Sequence, residues 1–180
     1  MKFINVEIEG LFVIEPNVFE DDRGYFFESY NKVEFEKNGI TDFFVQDNQS
    51  KSQKDVLRGL HFQKPPYAQA KLVRVIQGSV LDVAVDLRKG SKTYGEHFSV
   101  TISAKNRKMF YIPAGFAHGF LTLEDDTIFS YKCSNVYHSE SEDAVLWNDK
   151  ELDIDWGVNQ PILSEKDNKA KSFNQFNSPF

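Results

Sequence analysis

The stretch KLVRVIQGSVLDVAVDLR, residues 71–88, decides how the chain is to be read. Lys71 to Ile76 reads as a strand, Gln77-Gly78 as a connecting turn, and Val80 to Arg88 as a second strand. In the second strand Leu81, Val83, Val85 and Leu87 share one face, while Asp82, Ala84, Asp86 and Arg88 take the other. A period of two belongs to a strand, not a helix. The same reading puts further strands near 3–8, 11–15, 25–29, 43–50, 56–63, 97–102, 109–112, 118–123 and 127–133. One helix is expected at 32–37, with Asn31 as N-cap and Asn38-Gly39 as its stop. Ser164 can N-cap a second, short one, with Asp167 at the capping-box position. Many short strands with few helices predict an all-β sandwich or barrel, the jelly roll being one such form.

Composition narrows the function. The 180 residues suit one domain over 1–180, and there is no repeat, low-complexity linker or Pro/Gly-rich hinge. Net charge is −6 with both signs interspersed, so there is no basic stripe for nucleic acid. Cys133 is the only cysteine, which excludes an intrachain disulfide and fits a reducing compartment. Glu7 and Glu9 stand where a signal peptide needs its apolar segment, and no apolar run approaches the roughly 20 residues that span a bilayer. The expected setting is the cytoplasm, without a membrane partner. The acidic, turn-rich stretch 148–156 carries two apolar anchors, Ile154 and Trp156, and the tail beyond it reads as packed or frayed.

There are four histidines, at 61, 97, 118 and 138. Metal ligands on a strand favour an H-x-H pair, because residues two apart share a face. His61-Phe62-Gln63 breaks that pattern, so no catalytic metal is expected. The segment IPAGFAHGF (112–120) contains P-x-G-x-x-H and resembles the second motif of the cupin superfamily. In VLRGLHFQ (56–63), alternation puts His61 with Gly59 and Gln63, and Arg58 on the opposite face. Arg58 can reach the cavity of His61 only through a bulge at Gly59, or from the rim. His118 reads equally as a site residue or as a support of the barrel turn. Asp82 and Asp86 read as structural partners of Lys71 and Arg88, and His97 and His138 as loop or surface residues. His61 and His118, with Lys71, Arg23, Arg58 and the strand phenol Tyr131, make a set suited to an anionic substrate and proton transfer at carbon.

Several motifs, in order, then resemble the dTDP-4-dehydrorhamnose 3,5-epimerase family: EPNVFEDDRGYFFESYN (15–31), FVQDNQSKS (44–52), VLRGLHFQ (56–63), AQAKLVRVIQGSVLDVAVDLR (68–88), IPAGFAHGF (112–120), YKCSNVY (131–137), LWND (146–149) and LSEKD (163–167). The resemblance implies a cupin-like jelly roll that works without a cofactor on a dTDP-linked 4-keto-6-deoxy sugar, inverting C3 and C5. It implies His61 as base, Asp167 as its dyad partner, Tyr131 as proton donor and Lys71 at the keto oxygen. Arg23, Glu28, Gln46, Asp47, Asn48, Arg58, His118, Glu142 and Lys166 match positions lining the nucleotide-sugar site, and Tyr137 an aromatic that shapes it. The resemblance also implies a homodimer whose N-terminal strands cross to the partner, with a short C-terminal helical segment packed on the barrel. Val136 stands where some relatives carry a second tyrosine. Open alternatives are a single epimerase acting at C3 or C5 alone, a sugar-nucleotide-binding cupin without turnover, and a metal-dependent cupin oxygenase.

Overall fold

The computed structural model describes residues 1–180. Its strands, in chain order, are β1 (Lys2–Asn5), β2 (Phe12–Glu15), β3 (Phe19–Asp21), β4 (Gly24–Phe26), β5 (Gln46–Ser52), β6 (Leu57–Gln63), β7 (Lys71–Gln77), β8 (Ser79–Asp86), β9 (His97–Ser103), β10 (Met109–Ile112), β11 (Phe116–Thr122), β12 (Thr127–Cys133) and β13 (Glu142–Ala144). Helix α1 spans Lys32–Lys37 and α2 Glu165–Asn168, followed by one 3-10 turn at Phe173–Gln175. A six-stranded sheet in the order β1-β2-β10-β7-β12-β5 faces a five-stranded sheet in the order β13-β6-β11-β8-β9. All their ladders are antiparallel. The hairpin β3–β4 joins neither sheet. This is the all-β sandwich that the strand pattern predicted, in the cupin-like jelly-roll form that the resemblance implied. No helix is long and apolar enough to cross a membrane.

The alternation in residues 80–88 has an unexpected sense. Val83, Val85 and Leu87 face away from the other sheet. They pack under the C-terminal segment, with Val145, Leu152 and Trp156 buried against them and Ile154, Phe173, Phe176 and Phe180 around the edge. Val80 and Ala84 face the space between the sheets, against Val73, Phe110, Phe120 and Phe129. Asp82, which alternates with Val83, therefore also points between the sheets and is fully buried. A third apolar cluster puts Phe35 of α1 over Ile14, Leu72, Met109 and Tyr111 on the outer side of the six-stranded sheet. The α1 cap is as expected: Asn31 Oδ1 accepts from the amides of Val33 and Glu34 at 3.1 and 3.4 Å.

Short elements differ from the sequence reading. The strand expected at 3–8 ends at Asn5, and that expected at 25–29 is the three-residue β4. Neither β3 nor β13 was expected; each has only three residues, too few to display a period.

The bulge at Gly59 is present. His61 pairs with His118, but Arg58 pairs with Phe120, so β6 uses one residue more than β11 over the same span. At this point the backbones nearly touch. A Cβ built on Gly59 would lie 2.5 Å from Cα of Gly119, and Gly59 has φ of 152°. A methyl group fits neither the space nor the dihedral. Gly59→Ala is therefore expected to lower stability by about 3 kcal/mol or more, above the usual range for overpacking. Urea unfolding reads this directly, and a variant as stable as the parent would refute the close approach.

Candidate active site

Between the sheets lies a polar cavity with two connected lobes of about 240 and 110 Å³. His61, Lys71, Tyr131 and Glu142 line both lobes. His61 comes from β6 in one sheet, and Lys71 and Tyr131 from β7 and β12 in the other. An imidazole and a phenol thus enter one space from facing walls.

His61 is backed by a carboxylate. Its Nε2 lies 2.5 Å from Oδ1 of Asp167, which is 2% exposed. The other oxygen, Oδ2, accepts from the Ser164 hydroxyl at 2.8 Å, and the same hydroxyl accepts from the Asp167 amide at 3.1 Å. The capping residue and the dyad residue are therefore one carboxylate doing both jobs. Both ends of this segment are fastened to the five-stranded side. Ile162 bridges in parallel to Val56, and Lys171 to Val145. Burial pushes the Asp167 carboxyl up, but His61, Ser164 and Lys166 outweigh that and hold it below the usual aspartate value.

The Tyr131 phenol and the Lys71 amine face the same space. Burial, aided by Cys133, pushes the Tyr131 phenol up against the opposing effects of Asn48 and Arg58. It is thus protonated at neutral pH. The Lys71 ammonium lies 6.0 Å from the Tyr131 ring centroid. Burial lowers its pKa, while Cys133, Asp82 and Glu142 pull the other way. The carboxylates around Lys71 are engaged elsewhere: Asp82 with His118, Glu142 with Lys166, and Asp167 with His61. Asp82 is accordingly not the ion-pair partner of Lys71 that its sequence position suggested. Its Oδ1 meets Nε2 of buried His118 at 2.9 Å, while Oδ2 has no partner. Burial is the leading cause on both sides, raising the carboxyl and lowering the imidazole. Asp86 does pair with Arg88, at 2.7 Å.

Around the mouth, Glu142 Oε2 accepts from the Tyr137 hydroxyl at 2.7 Å and lies 2.5 Å from Nζ of Lys166. Gln46 and Asn48 line the smaller lobe, joined by a 3.0 Å hydrogen bond. Arg58 lines the larger lobe and donates to Ser52 Oγ at 3.2–3.3 Å. His118 lies at the inner side of the larger lobe.

Three of the expected residues lie outside the cavity of this chain. Asp47 sits between Gln46 and Asn48 on β5, so the strand period turns it to the other face, where it bonds Lys132 at 2.9 Å. Arg23 sits at the tip of the separate hairpin with its side chain 90% exposed, paired to Asp21 at 2.5 Å. Glu28 accepts from Asn31 Nδ2 at 3.1 Å. Sequence reasoning missed seven lining residues: Phe62, Gln63 and Gln69 in the smaller lobe, and Gln49, Ser50, Phe120 and Ser164 in the larger. Gln63 was legible as the same-face neighbour of His61, and Ser164 as the cap three residues before Asp167. No three His, Cys, Asp or Glu side chains come together as a metal-binding group.

Inversion at carbon asks for a base and an acid on opposite faces of one substrate, and this chain holds an imidazole and a phenol on facing walls of one cavity inside a cupin-type jelly roll. It is in that sense an epimerase-class isomerase. Residues 5–175 match the family model described as dTDP-4-dehydrorhamnose 3,5-epimerase. The chain is 51% identical over 173 residues to the enzyme of that name from Methanothermobacter thermautotrophicus, covering 94% of this chain and 93% of that one. It is similar to the crystal structure of the Elizabethkingia anophelis dTDP-4-dehydrorhamnose 3,5-epimerase, with a TM-score of 0.94, 51% identity and 97% of each chain covered. A Legionella pneumophila dTDP-6-deoxy-D-glucose-3,5-epimerase, solved in complex with dTDP-4-keto-L-rhamnose, matches at 0.94 and 48% identity, with 98% of this chain and 94% of that one covered. The chain belongs to the dTDP-4-dehydrorhamnose 3,5-epimerase family.

The depressed carboxyl of Asp167 makes an acid-stability prediction. A folded pKa below the unfolded value means that the interaction stabilises fully above the unfolded value of about 3.9 and is lost as pH falls through the folded one. Parent and Asp167→Asn should differ most in urea midpoint at neutral pH, and the gap should close in the acid region below about pH 4. A gap that persists unchanged to low pH would refute the assignment.

Proposed function

We propose that the chain converts dTDP-4-dehydro-6-deoxy-D-glucose into dTDP-4-dehydro-L-rhamnose by inverting C3 and C5, with His61 as base and Tyr131 as acid. The observation that carries this reading is that both line the same cavity from opposite sheets. The C4 ketone makes the hydrogens on C3 and C5 acidic. His61 removes one as a proton, and the electron pair moves onto O4 as an enolate. Asp167 holds the imidazole in the donor–acceptor state that the step needs and stabilises the imidazolium, as the carboxylate of a hydrolase triad does. Lys71, free of other partners, meets the charge developing on O4. Tyr131 returns a proton to the opposite face of the carbon. The imidazolium and phenolate then re-equilibrate with solvent before the second carbon reacts. Nothing is oxidised overall, so the proton balance closes without a redox partner.

The remaining side chains fit the nucleotide. Arg58 at the larger lobe suits the diphosphate, because a guanidinium fork matches phosphate oxygens. Tyr137, Gln46 and Asn48 at the smaller lobe suit the nucleoside, with Glu142 and Lys166 between the two regions and His118 facing the sugar. Arg23, Glu28 and Asp47 enter this reading through a homodimer. Phe19, Tyr25 and Phe26 of the hairpin are 65%, 58% and 67% exposed, an apolar surface suited to a second copy. Arg23 at its tip would then serve the partner's cavity. The expected location is the cytoplasm, which the single buried, unpaired Cys133 supports.

Incubation with the keto sugar in deuterated water, followed by NMR, tests the chemistry. Deuterium should enter at both C3 and C5; entry at one carbon would favour the single-epimerase reading, and none at all the non-catalytic one. His61→Ala should abolish exchange. Tyr131→Phe should still exchange while losing inversion, because the base can return a deuteron to its own face. Lys71→Ala should lose about 10²–10³ in kcat.

Subunit mixing tests the dimer. Arg23→Ala and His61→Ala proteins, each weak alone at low substrate, should recover about a quarter of parental activity after co-refolding, since half the random dimers then carry one intact site. No recovery above the separate proteins would show that Arg23 acts within its own chain.

A further inference from the structure

We propose that Gln63 is a positioning residue whose side-chain amide sets the Tyr137 ring as the platform for the nucleoside. This rests on the reading above, in which Tyr137 contacts the nucleotide. Residues 135–138 run past the smaller lobe without a main-chain ladder. Three successive backbone N–H groups there are satisfied by side-chain oxygens alone. Val136 N donates to Asn135 Oδ1 at 2.9 Å, Tyr137 N to Gln46 Oε1 at 2.9 Å, and His138 N to Gln63 Oε1 at 2.8 Å. The Gln63 amide nitrogen completes the clamp, donating to the carbonyls of Val136 at 3.1 Å and Tyr67 at 2.7 Å. One buried side chain thus grips the backbone immediately before and after Tyr137 and ties it to the 64–67 turn. The turn itself is buttressed by the His138 ring lying flat on Tyr67, with centroids 3.9 Å apart and planes 4° apart.

Gln63 is 4% exposed, so its amide makes these bonds out of competition with water. It also follows His61 by two positions on β6 and shares its face. The strand therefore carries the base and the clamp of the platform at a fixed offset of about 7 Å. Tyr137 itself is 57% exposed and belongs to none of the apolar clusters; its hydroxyl bond to Glu142 fixes the ring tip. Without the clamp the loop keeps its residues but loses the position that preorganises the platform.

The test is a double-mutant cycle on steady-state kinetics with Gln63→Leu and Tyr137→Ala. Gln63→Leu should raise KM for the dTDP sugar about tenfold with kcat within about twofold, because the lost interaction serves ground state and transition state alike. Tyr137→Ala should raise KM by a similar factor, in the range of a lost base–aromatic stack. In the Tyr137→Ala background, Gln63→Leu should add less than about twofold, since it acts through the ring already removed. Additive effects, an unchanged KM, or a kcat that falls as steeply as kcat/KM would overturn the proposal. A Tyr137→Ala enzyme with parental KM would instead overturn the nucleotide-platform reading, and the proposal with it. Should Gln63→Leu fail to fold, Gln63→Glu keeps the acceptor for His138 but loses both donated bonds, and the same KM rise and non-additivity are required of it.

Discussion

The contact on which the site depends involves no side chain. Gly59 and Gly119 lie back to back across β6 and β11, so close that neither strand tolerates a Cβ there. That approach accommodates the extra residue in β6. Without it the strand period would send Arg58 and His61 to opposite faces. With it, the guanidinium and the imidazole line the same cavity. A strand normally offers every second side chain to one face; the bulge lets this one present two groups of different chemistry three positions apart.

Electrostatics then decides what each group can do. The space between the sheets holds three carboxylates, two imidazoles and a lysine next to a phenol. Buried charges are costly unless paired, and most of these groups are paired. Asp167 takes His61, Asp82 takes His118, and Glu142 takes Lys166. The consequence is that the Lys71 amine is left over, a donor held near carboxylates but claimed by none. A donor of that kind is useful where negative charge appears only during a reaction, because no existing bond must break first.

The sequence made the strands legible wherever they were long enough to display a period, and residues 71–88 are the clear case. It did not disclose which side of the second strand faces inward. Alternation tells that Asp82 and Val83 differ, and the usual expectation would turn Val83 to the core. Here the apolar side is roofed by Trp156 and its neighbours, whose covering role depends on a return of the chain from far along the sequence. Asp82 illustrates the same limit in the site. Its partner, His118, is 36 positions away on the adjacent strand, while Lys71 is nearer in sequence but on the opposite sheet. Local pattern identified the chemistry-bearing residues; pairing among them is a non-local property. The outward turn of Asp47, by contrast, followed from the strand period once β5 was placed.

The two parallel bridges that fasten residues 162 and 171 have a bearing on how function matures during folding. The barrel can close from residues that precede them, and a closed barrel already owns the imidazole, the phenol and the lysine. Yet the carboxylate that steadies the imidazole follows it by 106 positions and arrives only when the tail docks. The segment that brings this carboxylate to His61 runs on into Phe173, Phe176 and Phe180, which help to roof the apolar side of β8. A molecule whose tail has come undone would keep a recognisable cavity while the His61 imidazole stood without its carboxylate.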